Sequence, residues 1–346
     1  MSFSDVVRKE FKISDEVRDA GLTTPGGVVR FDNICYVHKD ATVVSEANIE
    51  NAADAGPQAS DKWHLLDVYR PRSASDTKLP VIVNVHGGGW VYGDKDVYQY
   101  YCMDMCLRGF AVVNFSYRLA PEYKYPAQLE DTCTAFRWVM ENAEEYGFDT
   151  DSIYAVGDSA GANILALYCL MGTNEEYAEK YRFDVLRNAP HVLGDKKNAD
   201  SDMNGNVDGG ISYNVDEDIT RKLCVPKAVA LNCGAYDLNS SRREMKGFMS
   251  ELMQNHGTPE EIEMLNVTKY INKNFPPTFL MTCYGDFLKD QAPLLEEKLK
   301  GLGIIYTSRL YGSEEEPLKH VFHCDIRMDA AKLCNDETCE FFGSIR

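Results

Sequence analysis

The sequence has no apolar run approaching the ~18 residues that a membrane-spanning helix requires. Its first ten residues, Met-Ser-Phe-Ser-Asp-Val-Val-Arg-Lys-Glu, lack the apolar core of a secretory leader. Positive charge is scarce beside negative: 36 Lys and Arg stand against 54 Asp and Glu, for a net charge of −18. That balance argues against a nucleic-acid partner, which needs clustered cations to meet phosphate, and disfavours an anionic membrane surface. The 11 cysteines include no Cys-x-x-Cys pair and no Cys/His group at zinc spacing. Scattered in odd number through apparent strands and helices, they read as buried free thiols in a reducing compartment, and a cytoplasmic location is expected. No internal repeat is evident.

What is present is enough apolar material for a large core. With 346 residues, 44% of them hydrophobic, the chain can form one enlarged α/β domain or a domain with a lid. Its organising stretch is residues 152–172. Ile153 to Val156 reads as a buried strand, and Ala162 to Met171 as a helix ending at Gly172. Between them lies Gly157-x-Ser159-x-Gly161. A serine on so tight a strand-to-helix turn needs neighbours without Cβ atoms two residues away on either side, because the two backbones nearly touch. The turn presents the hydroxyl at the end of the sheet, where the helix N-terminus favours negative charge.

In chain order, residues 1–20 carry Val6, Val7, Phe11, Ile13 and Val17 among charges and predict an amphipathic helix. Residues 40–61 read as a loop or linker, and Trp63–Arg70 as a strand. A buried strand, Val81–Val85, runs into His86-Gly87-Gly88-Gly89-Trp90, where bare N–H groups can face a cavity with no side chain in the way. Further strands are predicted at Phe110–Phe115, Pro226–Cys233, Pro277–Cys283 and Ile304–Tyr311. A long helix is predicted over Ala127–Tyr146 with Phe136, Val139 and Met140 facing in, another from the Tyr284–Asp290 region to Leu302, and a terminal one from about Asp325. Thr258, Pro259 and Glu261 form a capping-box signal for a helix start. This alternation favours a mostly parallel sheet with helices on both faces.

His86-Gly87-Gly88-Gly89-Trp90, Tyr117-Arg118-Leu119-Ala120-Pro121-Glu122 with Pro126 and Asp131 after it, and Gly157-Asp158-Ser159-Ala160-Gly161 occur in this order and spacing. Together they resemble the hormone-sensitive-lipase-like carboxylesterase branch of the α/β-hydrolase superfamily, over residues 63–172 and again from Val225 onward. The resemblance implies an α/β-hydrolase fold at residues 60–346, with insertions at 173–224 and 239–275 and a cap from residues 1–59 and the second insertion. It also implies that the N–H groups of Gly88, Gly89 and Ala160 form an oxyanion hole.

Ester cleavage further needs a nucleophile, a base and an acid to orient the base. Ser159 supplies the first. His320 is the expected base, since it follows the last strand and its His-x-Phe resembles the family's His-Gly-Phe; His323 is the rival. Asp286 is the expected orienting acid and Asp237 the alternative, each following a predicted strand. His86 and Asp158 are read as supports of the local hydrogen-bond network, and Cys283 and Cys324 as packed thiols. In the first insertion, Asp200, Asp202, Asn204, Asn206 and Asp208 resemble the first nine positions of a calcium loop, but Ile211 stands where a bidentate Glu belongs. A solvated turn is the preferred reading, and neither metal nor cofactor is expected. The expected activity is hydrolysis of small or medium acyl esters through an acyl-enzyme, with a small-molecule ester as partner and a homodimer left open. An arylformamidase-like amidase and a non-catalytic binding protein of the same fold remain as alternatives.

Overall fold

The long apolar runs become strands because an α/β sheet buries both of its faces. The computed structural model describes residues 1–37, 62–74, 77–186, 223–240 and 242–345. The Asp200–Asp208 loop, the 40–61 linker and most of the first insertion lie outside the described residues.

Eight strands are β1 (Val28–Cys35), β2 (Leu65–Pro71), β3 (Leu79–Val85), β4 (Ala111–Phe115), β5 (Phe148–Asp158), β6 (Ala228–Asn232), β7 (Thr278–Cys283) and β8 (Tyr306–Tyr311). They form one sheet in the order β1-β2-β4-β3-β5-β6-β7-β8. The β1–β2 and β2–β4 pairs are antiparallel and all the others are parallel. Successive side chains point to opposite faces. Val81, Val83, Val85, Val113, Val229 and Leu231 join one core, whereas Ile82, Val112, Ala228 and Ala230 join the other.

The first core is covered by α3 (Ala127–Glu141), α5 (Ala160–Thr173) and α10 (Gln291–Leu302), the second by α2 (Lys95–Cys106) and α11 (Asp329–Ser344). Every residue of α5 from Ala160 to Met171 is buried, as its Ala- and Leu-rich sequence requires. Among the described residues no helix is long and apolar enough to cross a membrane.

The N-terminal helix α1 (Phe3–Asp19) forms, but only part of its apolar set is covered. Val7 is buried and Phe11 packs on the core, while Val6, Ile13 and Val17 are exposed. It docks on α7 (Arg242–Leu252): the rings of Phe3 and Phe248 meet edge-on at 4.9 Å. A Cβ on Gly247 would fall 2.5 Å from the Phe3 ring, so glycine there admits the contact. The remaining helices are α4 (Ala143–Tyr146), α6 (Glu175–Leu186), α8 (Pro259–Met264) and α9 (Val267–Tyr270). The capping box holds: Glu261 N–H donates to Thr258 Oγ1 (3.3 Å) and Thr258 N–H to Glu261 Oε2 (3.1 Å).

Several expectations change. Strand β1 is not among the predicted strands: Asp32-Asn33 interrupts its apolar pattern, and the register shifts between Phe31 and Ile34 with Asn33 at φ 58°. The helix expected over Ala127–Tyr146 breaks at Asn142, whose side chain donates to the Trp138 carbonyl (2.8 Å) and competes with the backbone ladder. Met140 is exposed rather than inward, while Phe136 and Val139 are buried. Helix α10 begins at Gln291, after a hydrogen-bonded turn in which Asp286 N–H donates to Cys283 O and Lys289 N–H to Asp286 O. The terminal helix begins at Asp329, four residues later than expected, because residues 322–324 form a single tight 3₁₀ turn.

Candidate active site

Four loops at the carboxyl ends of parallel strands, grouped in three units, carry the candidate residues. The first joins β5 to α5. Ser159 sits there at φ 51° and ψ −118°, a backbone conformation costly for a residue with a Cβ. The flanking glycines are sterically required. A Cβ on Gly157 would fall 2.7 Å from Gly161 O, and one on Gly161 would fall 2.0 Å from Val85 O and 2.4 Å from His86 O. The start of α5 is thus pressed against the end of β3. Ser159 N–H is tied to Asn232 O (2.9 Å), and its side chain makes no helix-capping bond.

The second loop is the glycine run after β3. Gly88 lies at φ 112° and Gly89 at φ 62°, conformations open to glycine. Among the described residues neither N–H donates to a backbone carbonyl, whereas Val91 and Tyr92 N–H both donate to Gly88 O. His86 is fully buried and stacks on Tyr117 with ring centroids 3.9 Å apart, and its Nδ1 lies 2.8 Å from Gly87 O. Burial pushes its imidazole down to about 4, so it is neutral near pH 7 and donates from Nδ1 to the loop carbonyl. Tyr117 Oη donates to His86 O (2.8 Å). The Tyr-Arg-Leu-Ala-Pro-Glu segment therefore buttresses the glycine run, and Asp131 anchors that segment by accepting from Arg118.

The third unit pairs the loops after β7 and β8. Asp286 Oδ1 lies 2.6 Å from His320 Nδ1. The same carboxylate accepts from Leu288 N–H (2.8 Å) and Thr282 Oγ1 (2.8 Å). Burial alone would raise the Asp286 carboxyl, but the bond and charge of His320 and these two donors outweigh it, and the net shift is downward. The two loops are stitched together: Gly285 N–H donates to Leu318 O (3.0 Å), and Cys283 Sγ lies 3.2 Å from the carbonyls of both Leu318 and Lys319.

His323 is not in this arrangement. It is buried against Tyr101, with Nε2 3.6 Å from Cys324 Sγ, and burial pushes its imidazole down to about 3. Burial likewise pushes the Cys324 thiol well up, as befits a packed, unreactive sulfur. Asp237 accepts from Asn239 N–H (3.1 Å) and Asn266 Nδ2 (3.3 Å), two residues of the segment that follows it. A groove of about 620 Å³ between α1 and the segment after the glycine run is lined by Arg8, Asp15, Trp63, Tyr92 and Asp94, but by none of Ser159, Asp286 or His320.

The BD-FAE family model matches residues 66–299, from β2 to α10, and so takes in the glycine run, the serine elbow and Asp286. The chain belongs to the BD-FAE family. Within α/β-hydrolases it falls in the hormone-sensitive-lipase-like branch. It is 28% identical over 233 residues to versiconal hemiacetal acetate esterase of Dothistroma septosporum, covering 65% of this chain and 62% of that one. With carboxylesterase NlhH of Mycobacterium tuberculosis it shares 46% identity over 101 residues, 29% of this chain and 31% of that one. The chain therefore spans less than two thirds of the length of either relative. Esterase B of Lactobacillus rhamnosis superposes with a TM-score of 0.73 at 22% identity, covering 99% of this chain and 93% of that one, a likeness of fold.

One contact in this BD-FAE member had no counterpart in the sequence reading. Tyr98, on α2, donates from Oη to Asp158 Oδ2 (2.8 Å) and accepts from Gly87 N–H (3.0 Å). Only the helical phase of α2 could have pointed Tyr98 at the sheet end. Asp158 itself is fully buried, and burial, partly offset by the Tyr98 hydroxyl and the charge of His320, pushes its carboxyl up to about 6. A carboxyl raised above its unfolded value of 3.8 loses stabilising power as pH climbs through that window. The stability of Asp158→Asn relative to wild type should rise between pH ~4 and ~6, by up to about 3 kcal/mol, and stay level above that range. Urea unfolding of both proteins at pH 4, 5, 6 and 8 measures the gap; a flat difference would show that Asp158 ionises normally.

Proposed function

We propose that the chain is a serine carboxylesterase that cleaves small or medium acyl esters through an acyl-enzyme. What carries the reading is the 2.6 Å bond between Asp286 and His320, in loops stitched together at the same carboxyl end of the sheet as the strained Ser159 elbow. In this reading Ser159 Oγ attacks the ester carbonyl while His320 Nε2 takes its proton. Asp286 holds Nδ1–H and stabilises the imidazolium. Negative charge then develops on the carbonyl oxygen and is met by the N–H groups of Gly88, Gly89 and Ala160. The lack of backbone partners for the two glycine donors among the described residues supports that role. Collapse of the adduct breaks the ester C–O bond, and His320 returns the proton to the leaving alcohol. Water, deprotonated by the same histidine, releases the acid and restores Ser159. The names of the two relatives, both esterases, support the substrate class.

The N-terminal helix and the 239–275 insertion would form a cap over this site. Phe248 of α7 reaches the glycine run: a Cβ on Gly89 would lie 2.2 Å from the Phe248 ring. A ring so close to an oxyanion glycine leaves little room for a long acyl chain. A panel of p-nitrophenyl esters from acetate to laurate tests the function directly, with an aryl formamide as comparison. Wild type should favour the short esters, and turnover confined to the formamide would move the protein to the amidases. Phe248→Ala should raise kcat/KM for the hexanoate relative to the acetate by roughly tenfold, the worth of one or two methylenes in an apolar pocket. An unchanged ratio would remove Phe248 from the substrate path.

A further inference from the structure

The two walls of the proposed oxyanion hole belong to different strands. Gly88 and Gly89 follow β3, and Ala160 follows β5. Their donors must agree in position to a fraction of an ångström for both to reach one oxygen. The β-ladder fixes the strand ends but not the loops beyond them.

We propose that Tyr98 is a positioning residue that clamps these two walls together through a single hydroxyl. The proposal rests on the esterase reading above. Tyr98 Oη accepts from the N–H of Gly87, next to Gly88, and donates its one proton to Asp158, next to Ser159. Both capacities of the hydroxyl are used across the gap. The packing leaves no slack: a Cβ on Gly87 would fall 2.4 Å from Asp158 Oδ2 and 2.9 Å from Tyr98 Oη. Tyr98 is itself 6% exposed and belongs to the core under α2, so the helix and not a mobile loop sets the position of the hydroxyl. Phenylalanine would fill the same space and lose only the bridge. The buried Gly87 N–H and Asp158 Oδ2 would then each lose this partner, and the glycine run could drift from the elbow. Tyr98 touches no substrate; it acts by holding donors that do.

The test is Tyr98→Phe in the full-length protein, assayed on p-nitrophenyl acetate and with an acyl trifluoromethyl ketone, which adds to Ser159 and places an oxyanion in the hole. The expected result is a 10- to 100-fold fall in kcat, less than the cost of deleting a donor outright, with KM within about twofold. The Ki of the ketone should rise by the same factor as kcat falls. Loss of thermal stability with kcat and Ki unchanged would mean that Tyr98 only packs, and would overturn the proposal. Asp158 gives an independent check: Asp158→Ala, which removes the acceptor, should match the loss, and Asp158→Asn, which keeps an acceptor oxygen, should recover most of it. Adding Tyr98→Phe to Asp158→Ala should cost little more; fully additive losses would also overturn the clamp. Failure of the esterase reading looks different, because wild type would then show neither turnover nor inhibition by the ketone.

Discussion

Ser159→Ala is expected to lower turnover of a soluble short-chain ester by about 10⁴-fold or more, because nucleophile, base and orienting acid act as a unit and the loss of one idles the others. The residual rate would come from the oxyanion donors and substrate binding alone. The substitution is a clean one in this fold. The Ser159 side chain makes no capping bond with α5, and the backbone strain at φ 51° is borne equally by an alanine. Melting temperature should therefore change little while activity collapses. The decisive measurement is intact-mass spectrometry after treatment with an alkyl phosphonate. Wild type should gain one adduct, and Ser159→Ala none. Equal adduct yield in the two proteins would place the nucleophile elsewhere, and the esterase mechanism with it.

The parts of the site that could be read in advance are those where backbone geometry forces residue identity. Gly157 and Gly161 are glycines because any Cβ would collide with the opposing backbone, and such a collision leaves a mark in sequence at fixed spacing. The adjacency of β7 and β8, which brings Asp286 to His320, follows from consecutive strands joined by one helix. What escaped was set by tertiary packing. The edge strand β1, interrupted at Asp32-Asn33, is stabilised by pairing with β2 rather than by its own alternation. The break at Asn142 is a side-chain bond that competes with a helix whose propensity is otherwise good. Tyr98 and Phe248 reach the glycine run from α2 and α7, helices outside the predicted set; which residue faces Gly87 or Gly89 depends on how each helix docks. Motifs mark the places where backbones crowd. Side chains that arrive from elsewhere leave no such mark.

Asp286→Asn is expected to lower turnover by 10²- to 10⁴-fold, whereas Asp237→Asn should cost less than about tenfold. The two aspartates follow neighbouring strands, so sequence position separates them poorly, but their hydrogen bonds separate them well. Asp286 Oδ1 receives His320 Nδ1 and Leu288 N–H, and Oδ2 receives Thr282 Oγ1, three donors converging on one carboxylate. An asparagine has a single acceptor oxygen to meet them. With its amide turned toward His320, it would force the imidazole into the tautomer that cannot take the Ser159 proton, giving the larger loss. With its oxygen toward His320, the Thr282 hydroxyl must rotate to accept from the amide, and the tautomer survives. The charge that steadies the imidazolium is still gone, which sets the smaller loss. Asp237, by contrast, receives among the described residues Asn239 N–H and Asn266 Nδ2, both on one oxygen, and asparagine can keep both. Steady-state kinetics from pH 5 to 9 on both purified, folded variants settles the assignment, and equal or reversed losses would mean that Asp286 is not the orienting acid.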